Sequence, residues 1–237
     1  MKLYLVVFLA LLAAGCSSDD PTENKLPAED DPLKGLPDKG ALRFDTPEVG
    51  QRSRYIFFIA TTDDVTKKVT LHYYPDTLVL AITGNESNKW VIKEFLTNGS
   101  KEGNWKGFAN EEIVRHLTID KDSAYFSRPA NAFFFSYLFH GDSRNIPLQA
   151  VNDPAPLNVD CMPFFGIKPD VWVQYSIDYK LHDQSFSHLN EYFDYTPMTT
   201  DGLGFMYAYG TSYGIVRWTW VNPWDYSKAQ GWDLIPN

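Results

Sequence analysis

The chain is poor in cysteine. It has two, Cys16 and Cys161, in 237 residues. That is too few for a disulfide framework, and neither lies beside the further Cys and His residues that a thiolate metal site needs. Basic runs are missing as well. Acidic residues outnumber basic ones by 30 to 21, a formal charge of −9, and no Lys/Arg cluster stands out, which argues against nucleic acid as a partner. After the first fifteen residues no apolar run is long enough to cross a bilayer as a helix. The signatures of nucleotide binding and nucleophilic catalysis are also absent: there is no P-loop, no G-x-G-x-x-G, no G-x-S-x-G elbow and no H-E-x-x-H. No βαβ rhythm appears, which argues against a parallel sheet. No cofactor is expected.

What the chain does have begins at its N-terminus. Lys2 precedes an apolar run, Leu3 to Leu12, of ten residues, then Ala13-Ala14-Gly15-Cys16. The run suits a signal peptide and is too short to span a membrane. The segment resembles a bacterial lipoprotein signal, with cleavage after residue 15 and lipidation of Cys16. It departs from that pattern at Ala13, where leucine is usual. The resemblance implies several acyl chains on Cys16, enough for stable anchoring. Loss of residues 1–15 also removes Lys2, leaving a mature chain at −10. Lipid alone would then be the membrane contact.

Residues 16–40 read as a disordered tether. They carry acidic clusters, Pro21, Pro27, Pro32 and Pro37, and no aromatic residue, so they cannot bury enough surface to fold. Ser17-Ser18-Asp19-Asp20 resembles the acidic signal that exports lipoproteins to the surface of Bacteroidota-type outer membranes. Asp76-Thr77-Leu78 and Asp122-Ser123-Ala124 match the D-S/T-apolar triplets glycosylated in such bacteria, which makes Thr77 and Ser123 candidate O-glycosylation sites.

Residues 41–237 read as one β domain. Segments rich in β-branched and aromatic residues recur, bounded by Gly, Pro, Asn or Asp. Examples are 53–61, 68–74, 77–83, 89–96, 113–120, 189–195, 204–209 and 213–221. Turns are expected at Tyr74-Pro75-Asp76 and at Thr83-Gly84-Asn85. The proline-rich stretch 140–168 breaks the rhythm and reads as an irregular loop. The fold class expected is all-β, an antiparallel β-sandwich, with a lipocalin-like β-barrel as the alternative.

Candidate chemistry is sparse. His182, His188 and Glu191 could supply metal ligands, but a strand would send His188 and Glu191 to opposite faces, and no metal is expected. Glu94, Glu191, Asp194 and Asp201 are the carboxylates that could serve glycoside hydrolysis, with nothing in the spacing to bring two of them together. Cys161 suits a small core hydrophobe. Aromatic residues are the stronger signal. They make up 16% of the chain, and eight Trp and Tyr fall between Tyr207 and Trp232. Most such rings fill cores, yet Trp224 and Tyr226, in Asn222-Pro223-Trp224-Asp225-Tyr226, and Trp105, between Gly103 and Gly107, stand in loop contexts. These three are the candidate ligand-binding residues.

Four phrases resemble uncharacterised Bacteroidota-type surface lipoproteins: Val49-Gly50-Gln51-Arg52-Ser53-Arg54-Tyr55, Tyr74 to Leu80, Tyr213 to Arg217, and Gly231 to Ile235. The resemblance implies a location and no catalytic residue. The expectation is therefore an outer-membrane lipoprotein facing the cell exterior. Its β domain would be non-catalytic and bind a glycan or protein partner through aromatic loop residues. An extracellular polysaccharide hydrolase and a structural accessory of an outer-membrane complex are the alternatives.

Overall fold

The structure, a computed structural model, describes residues 32–63, 65–66, 68–98, 112–129, 144–148, 173–176, 178–195, 204–221 and 228–235. The chain divides into two compact units, Met1–Lys34 and Gly35–Asn237. The fold below is that of the second.

Every regular element among the described residues is a strand. They are β1 (Arg52–Thr62), β2 (Val69–Glu86), β3 (Lys89–Asn98), β4 (Ile113–Ile119), β5 (Ser123–Phe126), β6 (Arg144–Pro147), β7 (Val173–Ser176), β8 (Tyr179–Leu181), β9 (Gln184–Phe186), β10 (Leu189–Tyr195), β11 (Gly204–Gly210), β12 (Gly214–Val221) and β13 (Lys228–Leu234). Eleven of them form one antiparallel sheet in the order β6-β5-β4-β3-β2-β1-β13-β12-β11-β10-β7, and β8 and β9 make a separate hairpin. The large sheet curls nearly into a barrel. This is the antiparallel all-β fold expected, and it satisfies either the sandwich or the barrel reading.

Alternation of side chains explains the core. On β1, Tyr55 and Phe57 are buried on one face, while Phe58 and Ala60 are buried on the other. The first face belongs to a core that draws on both ends of the sheet order, from Ala124, Phe126 and Ile146 round to Leu189, Tyr207 and Trp218. A flat sheet of this width could not bring those residues into one cluster; a curled one can.

The local details depart from sequence expectation in four places. The two strands expected at 68–74 and 77–83 are one long strand, β2, with Pro75 beside a register shift opposite Ile56 and Phe58. A bulge frees the position from ladder pairing, which is where a strand tolerates proline. The turn expected at Thr83-Gly84-Asn85 lies at Ser87 and Asn88, whose φ values of 50° and 65° are those of a tight hairpin turn. Strand β6 falls inside the stretch expected to be irregular, and β13 falls where no strand was expected.

The sheet has two unlike ends. At one end the connections are tight: Ser87–Asn88, the turn in which Asp120 Oδ1 accepts from the N–H groups of Asp122 (2.8 Å) and Ser123 (2.7 Å), and the turn closed by Tyr213 N to Gly210 O at 3.2 Å. The N-terminal segment staples this same end. Phe44 N and Asp45 N both donate to Thr211 O, Arg52 N donates to Gly40 O, and Leu42 and Phe44 insert into the core. Leu36 and Asp38, within the segment assigned to the tether, also hold Arg52 through the Leu36 carbonyl and the Asp38 carboxylate. At the opposite end stand the strand termini Thr62 and Val69, Asn98 and Ile113, Tyr195 and Gly204, and Val221 and Lys228. The connections that follow β3, β5, β10 and β12 start and finish there, whereas the β6–β7 connection leaves Pro147, and the β7–β10 connection joins Ser176 to Leu189, at the tight-turn end.

Candidate functional site

Two features of the sheet carry chemistry, one on each face. The first is a buried polar cluster on the face opposite Trp218 and Trp232. Arg217 pairs with Asp233 across β12 and β13. Its Nε donates to Asp233 Oδ1 at 2.5 Å and its Nη2 to Oδ2 at 2.6 Å, and Asp233 is fully buried. Tyr73 on β2 donates a third hydrogen bond to Asp233 Oδ2 at 2.8 Å. The guanidinium also lies 5.2 Å from the centre of the Phe58 ring. A two-pronged pair with extra hydrogen bonds is the form in which a buried ion pair offsets its desolvation.

The β8–β9 hairpin folds over this cluster. Tyr179 joins Glu191, Met206, Tyr207, Ala208, Arg217 and Thr219 around a small cavity with room for about one water molecule. At the hairpin tip the His182 ring lies 5.2 Å from that of Tyr73. Burial pushes the Glu191 carboxyl up to about 7, against a smaller opposing pull from Arg217. Burial likewise raises the Tyr179 hydroxyl to about 12, with Arg217 pulling the other way. Thr219 Oγ1 is buried without a hydrogen-bond partner and lines the cavity, so a water there would have polar partners.

A second ion pair, Glu94 with Arg115, is fully buried on the core face between β3 and β4. Arg115 Nη1 also donates to Ser127 O at 3.2 Å. Glu94 and Glu191, two of the carboxylates considered for hydrolysis, therefore sit on opposite faces of the sheet and cannot flank one bond.

The second feature is aromatic. Phe57, Trp232, Trp218, Tyr207 and Tyr192 are successive register partners on the core face, one from each of β1, β13, β12, β11 and β10. Phe57 and Trp232 have ring centres 5.1 Å apart, and Tyr192 stacks on Tyr207 at 6.1 Å.

The residues singled out from sequence fall variously. Cys16, Trp105, Trp224 and Tyr226 lie outside the described residues, as do Cys161 and Asp201. His182 and His188 are exposed turn residues with φ of 53° and 61°, whereas Glu191 is buried on β10. Among the described residues no three His, Cys, Asp or Glu side chains gather closely enough to hold a metal ion. Thr77 is half-buried in β2, between buried Asp76 and Leu78. Ser123 is half-buried at the start of β5, with its Oγ 3.2 Å from Asp120 Oδ1. Arg217, Asp233, Tyr73 and Tyr179 were not singled out. The signal available was a charge inside each of two apolar runs, Val216-Arg217-Trp218 and Trp232-Asp233-Leu234, because an ion flanked by core residues needs a partner.

No family model, curated protein or solved structure matches the chain.

Proposed function

We propose that the chain is an outer-membrane lipoprotein facing the cell exterior, lipidated on Cys16, whose β domain binds a glycan or protein partner and does not catalyse. The observation that supports this reading best is the polarity of the domain. The chain enters at the tight-turn end, stapled by residues 36–53, while the strand termini that flank residues 99–111 and 222–227 stand at the other end. Those two connections contain Trp105, Trp224 and Tyr226. A domain held by its base, with the strand termini that lead into these two aromatic-bearing connections at the far end, suits a recognition module on a tether. The likeness of its sequence phrases to Bacteroidota-type surface lipoproteins points the same way. The hydrolase alternative has less support, since Glu94 is bound to Arg115 and faces away from Glu191.

Two measurements test the proposal. Cys16→Ala should abolish metabolic palmitate labelling and release the chain from the membrane fraction; persistent labelling overturns the anchor. Trp224→Ala with Tyr226→Ala should weaken capture of a glycan or protein from the native surface at least ten-fold. Unchanged capture overturns these loop residues as the contact.

A further inference from the structure

We infer that the β8–β9 hairpin is a pH-operated latch, closed over the sheet while Glu191 keeps its proton and lifted when that proton leaves. The inference goes beyond the binding reading above and does not rest on it. The hairpin shares no strand pairing with the eleven-stranded sheet. Its own ladder has three pairs: Tyr179 with Phe186, Lys180 with Ser185, and Leu181 with Gln184. A ribbon that short has little stability of its own, so side-chain packing decides where it sits. Leu181 and Phe186 are buried, Phe186 sets its ring edge-on to Tyr213 at 5.3 Å, and the His182 ring lies against Tyr73. His188, at the junction of the hairpin with β10, has a φ of 61°. That left-handed conformation is unfavourable for a residue with a β-carbon, so the closed position holds strain at its hinge.

Glu191 sits where the latch meets the sheet. Glu191, Ala208, Arg217 and Asp233 are successive register partners across β10, β11, β12 and β13. Tyr179 of the hairpin closes the cavity over Glu191, Arg217 and Thr219. The titratable groups around that space are Arg217 on β12, Asp233 on β13, Tyr73 on β2 and Tyr179 on β8, with His182 at the hairpin tip beside Tyr73. The register partners of Glu191 on β11 and β7, Ala208 and Gln174, do not titrate. Among the described residues Arg217 is the cation that faces Glu191, and it already donates two hydrogen bonds to Asp233. A proton on Glu191 leaves one carboxylate to one guanidinium, and the hairpin closes over a balanced cluster. Loss of the proton sets a second carboxylate beside the same guanidinium, in a cavity with room for about one water. An ion so placed needs solvent, and lifting a weakly held hairpin supplies it. Burial raises the Glu191 carboxyl to about 7, which sets the range in which the latch works.

The test is hydrogen–deuterium exchange of the full chain at pH 5, 6, 7 and 8, read by mass spectrometry and corrected for the intrinsic pH dependence of amide exchange. The closed state holds the extra proton, so closure is complete at low pH and is lost as pH rises through about 7. Protection of residues 179–187 should therefore fall about ten-fold or more from pH 5 to pH 8, while that of β1 and β13 changes less. Glu191→Gln keeps the size and cannot ionise; its hairpin protection at pH 8 should stay within about three-fold of that at pH 5. Tyr179→Ala removes the ring over the cavity and leaves Glu191 in place; it should lower hairpin protection at pH 5 about ten-fold. Hairpin protection in the parent that does not change with pH overturns the latch. A fall that persists in Glu191→Gln overturns it as well, as does unchanged protection in Tyr179→Ala. A fall of equal size in β1 and β13 overturns it too, since that is loss of global stability with no separate movement of the hairpin. The parent profile needs no variant, so the latch is decided even where a substitution prevents folding.

Discussion

Arg217 and Asp233 face each other from neighbouring strands and share two hydrogen bonds, of 2.5 Å and 2.6 Å, beneath the Tyr179 hairpin. Asp233 is fully buried, so its charge depends on that partner. Arg217→Met should cost about 3–5 kcal/mol, because it strands a buried carboxylate. Arg217→Met with Asp233→Leu should recover a large part of the loss, since both charges then leave together. Tyr73→Phe, which deletes one hydrogen bond to the same carboxylate, should cost about 1 kcal/mol. Urea unfolding of the three variants measures this. A single Arg217→Met within 1 kcal/mol of the parent would show that the pair does not hold the hairpin face.

Glu191 gives the domain a pH dependence near neutrality. Burial raises its pKa from the ordinary carboxylate value to about 7 in the folded state. A folded-state pKa above the unfolded one means that the folded protein holds the extra proton. The corresponding stability is complete below the unfolded pKa and is lost as pH rises through about 7. The loss is on the order of 3 kcal/mol for a shift of this size. Glu191→Gln should therefore leave stability at pH 5 little changed, raise it at pH 8, and flatten the slope between them. Denaturation midpoints at pH 5, 6, 7 and 8 give the comparison. An unaltered slope in the variant would place the titration elsewhere.

Gly231 is where β13 passes closest to its neighbours. A Cβ there would overlap the Trp218 carbonyl oxygen and come within 2.9 Å of the Phe58 ring. The backbone oxygen cannot move without breaking the ladder between β12 and β13, so Gly231→Ala should destabilise by several kcal/mol or prevent folding. Gly84→Ala is the matched control. Its Cβ would meet Val91 Cγ2 at 3.6 Å, an ordinary contact, and it should change stability by no more than about 1 kcal/mol. Soluble yield and denaturation midpoint of the two variants decide the matter. Equal behaviour would mean that β13 is not seated as described.

How much of this was legible beforehand varied with the kind of signal. Leu189–Tyr195 was readable with the same ends that the structure shows, because it is rich in β-forming aromatic residues. Strand β13 was not. Lys228-Ala229-Gln230-Gly231-Trp232-Asp233-Leu234 has few residues with intrinsic strand preference, and it becomes a strand because β1 and β12 pair with it on both sides. The split of β2 failed for the opposite reason. Pro75 is a strong local breaker, and here a bulge accommodates it. The buried charge pairs follow the same division. Arg217 and Asp233 each carry a local sign, a charge among apolar neighbours, which Glu94 beside Lys93 and Arg115 beside His116 lack; in both pairs the partner is named only by strand register.

By itself, then, the sequence determined the secondary structure class and the alternating faces, since both arise from steric and hydrophobic preferences a few residues in range. The expectations of a lipidated Cys16 and an acidic tether likewise come from local chemistry and composition and make no use of the fold. Only the tertiary structure decided that Trp232, Trp218 and Tyr207 stand in one row, that Asp233 meets Arg217, and that Glu94 and Glu191 look away from each other. Those are consequences of pairing strands far apart in the chain. In a two-residue alternation, a register slip of one position would send every one of those side chains to the other face.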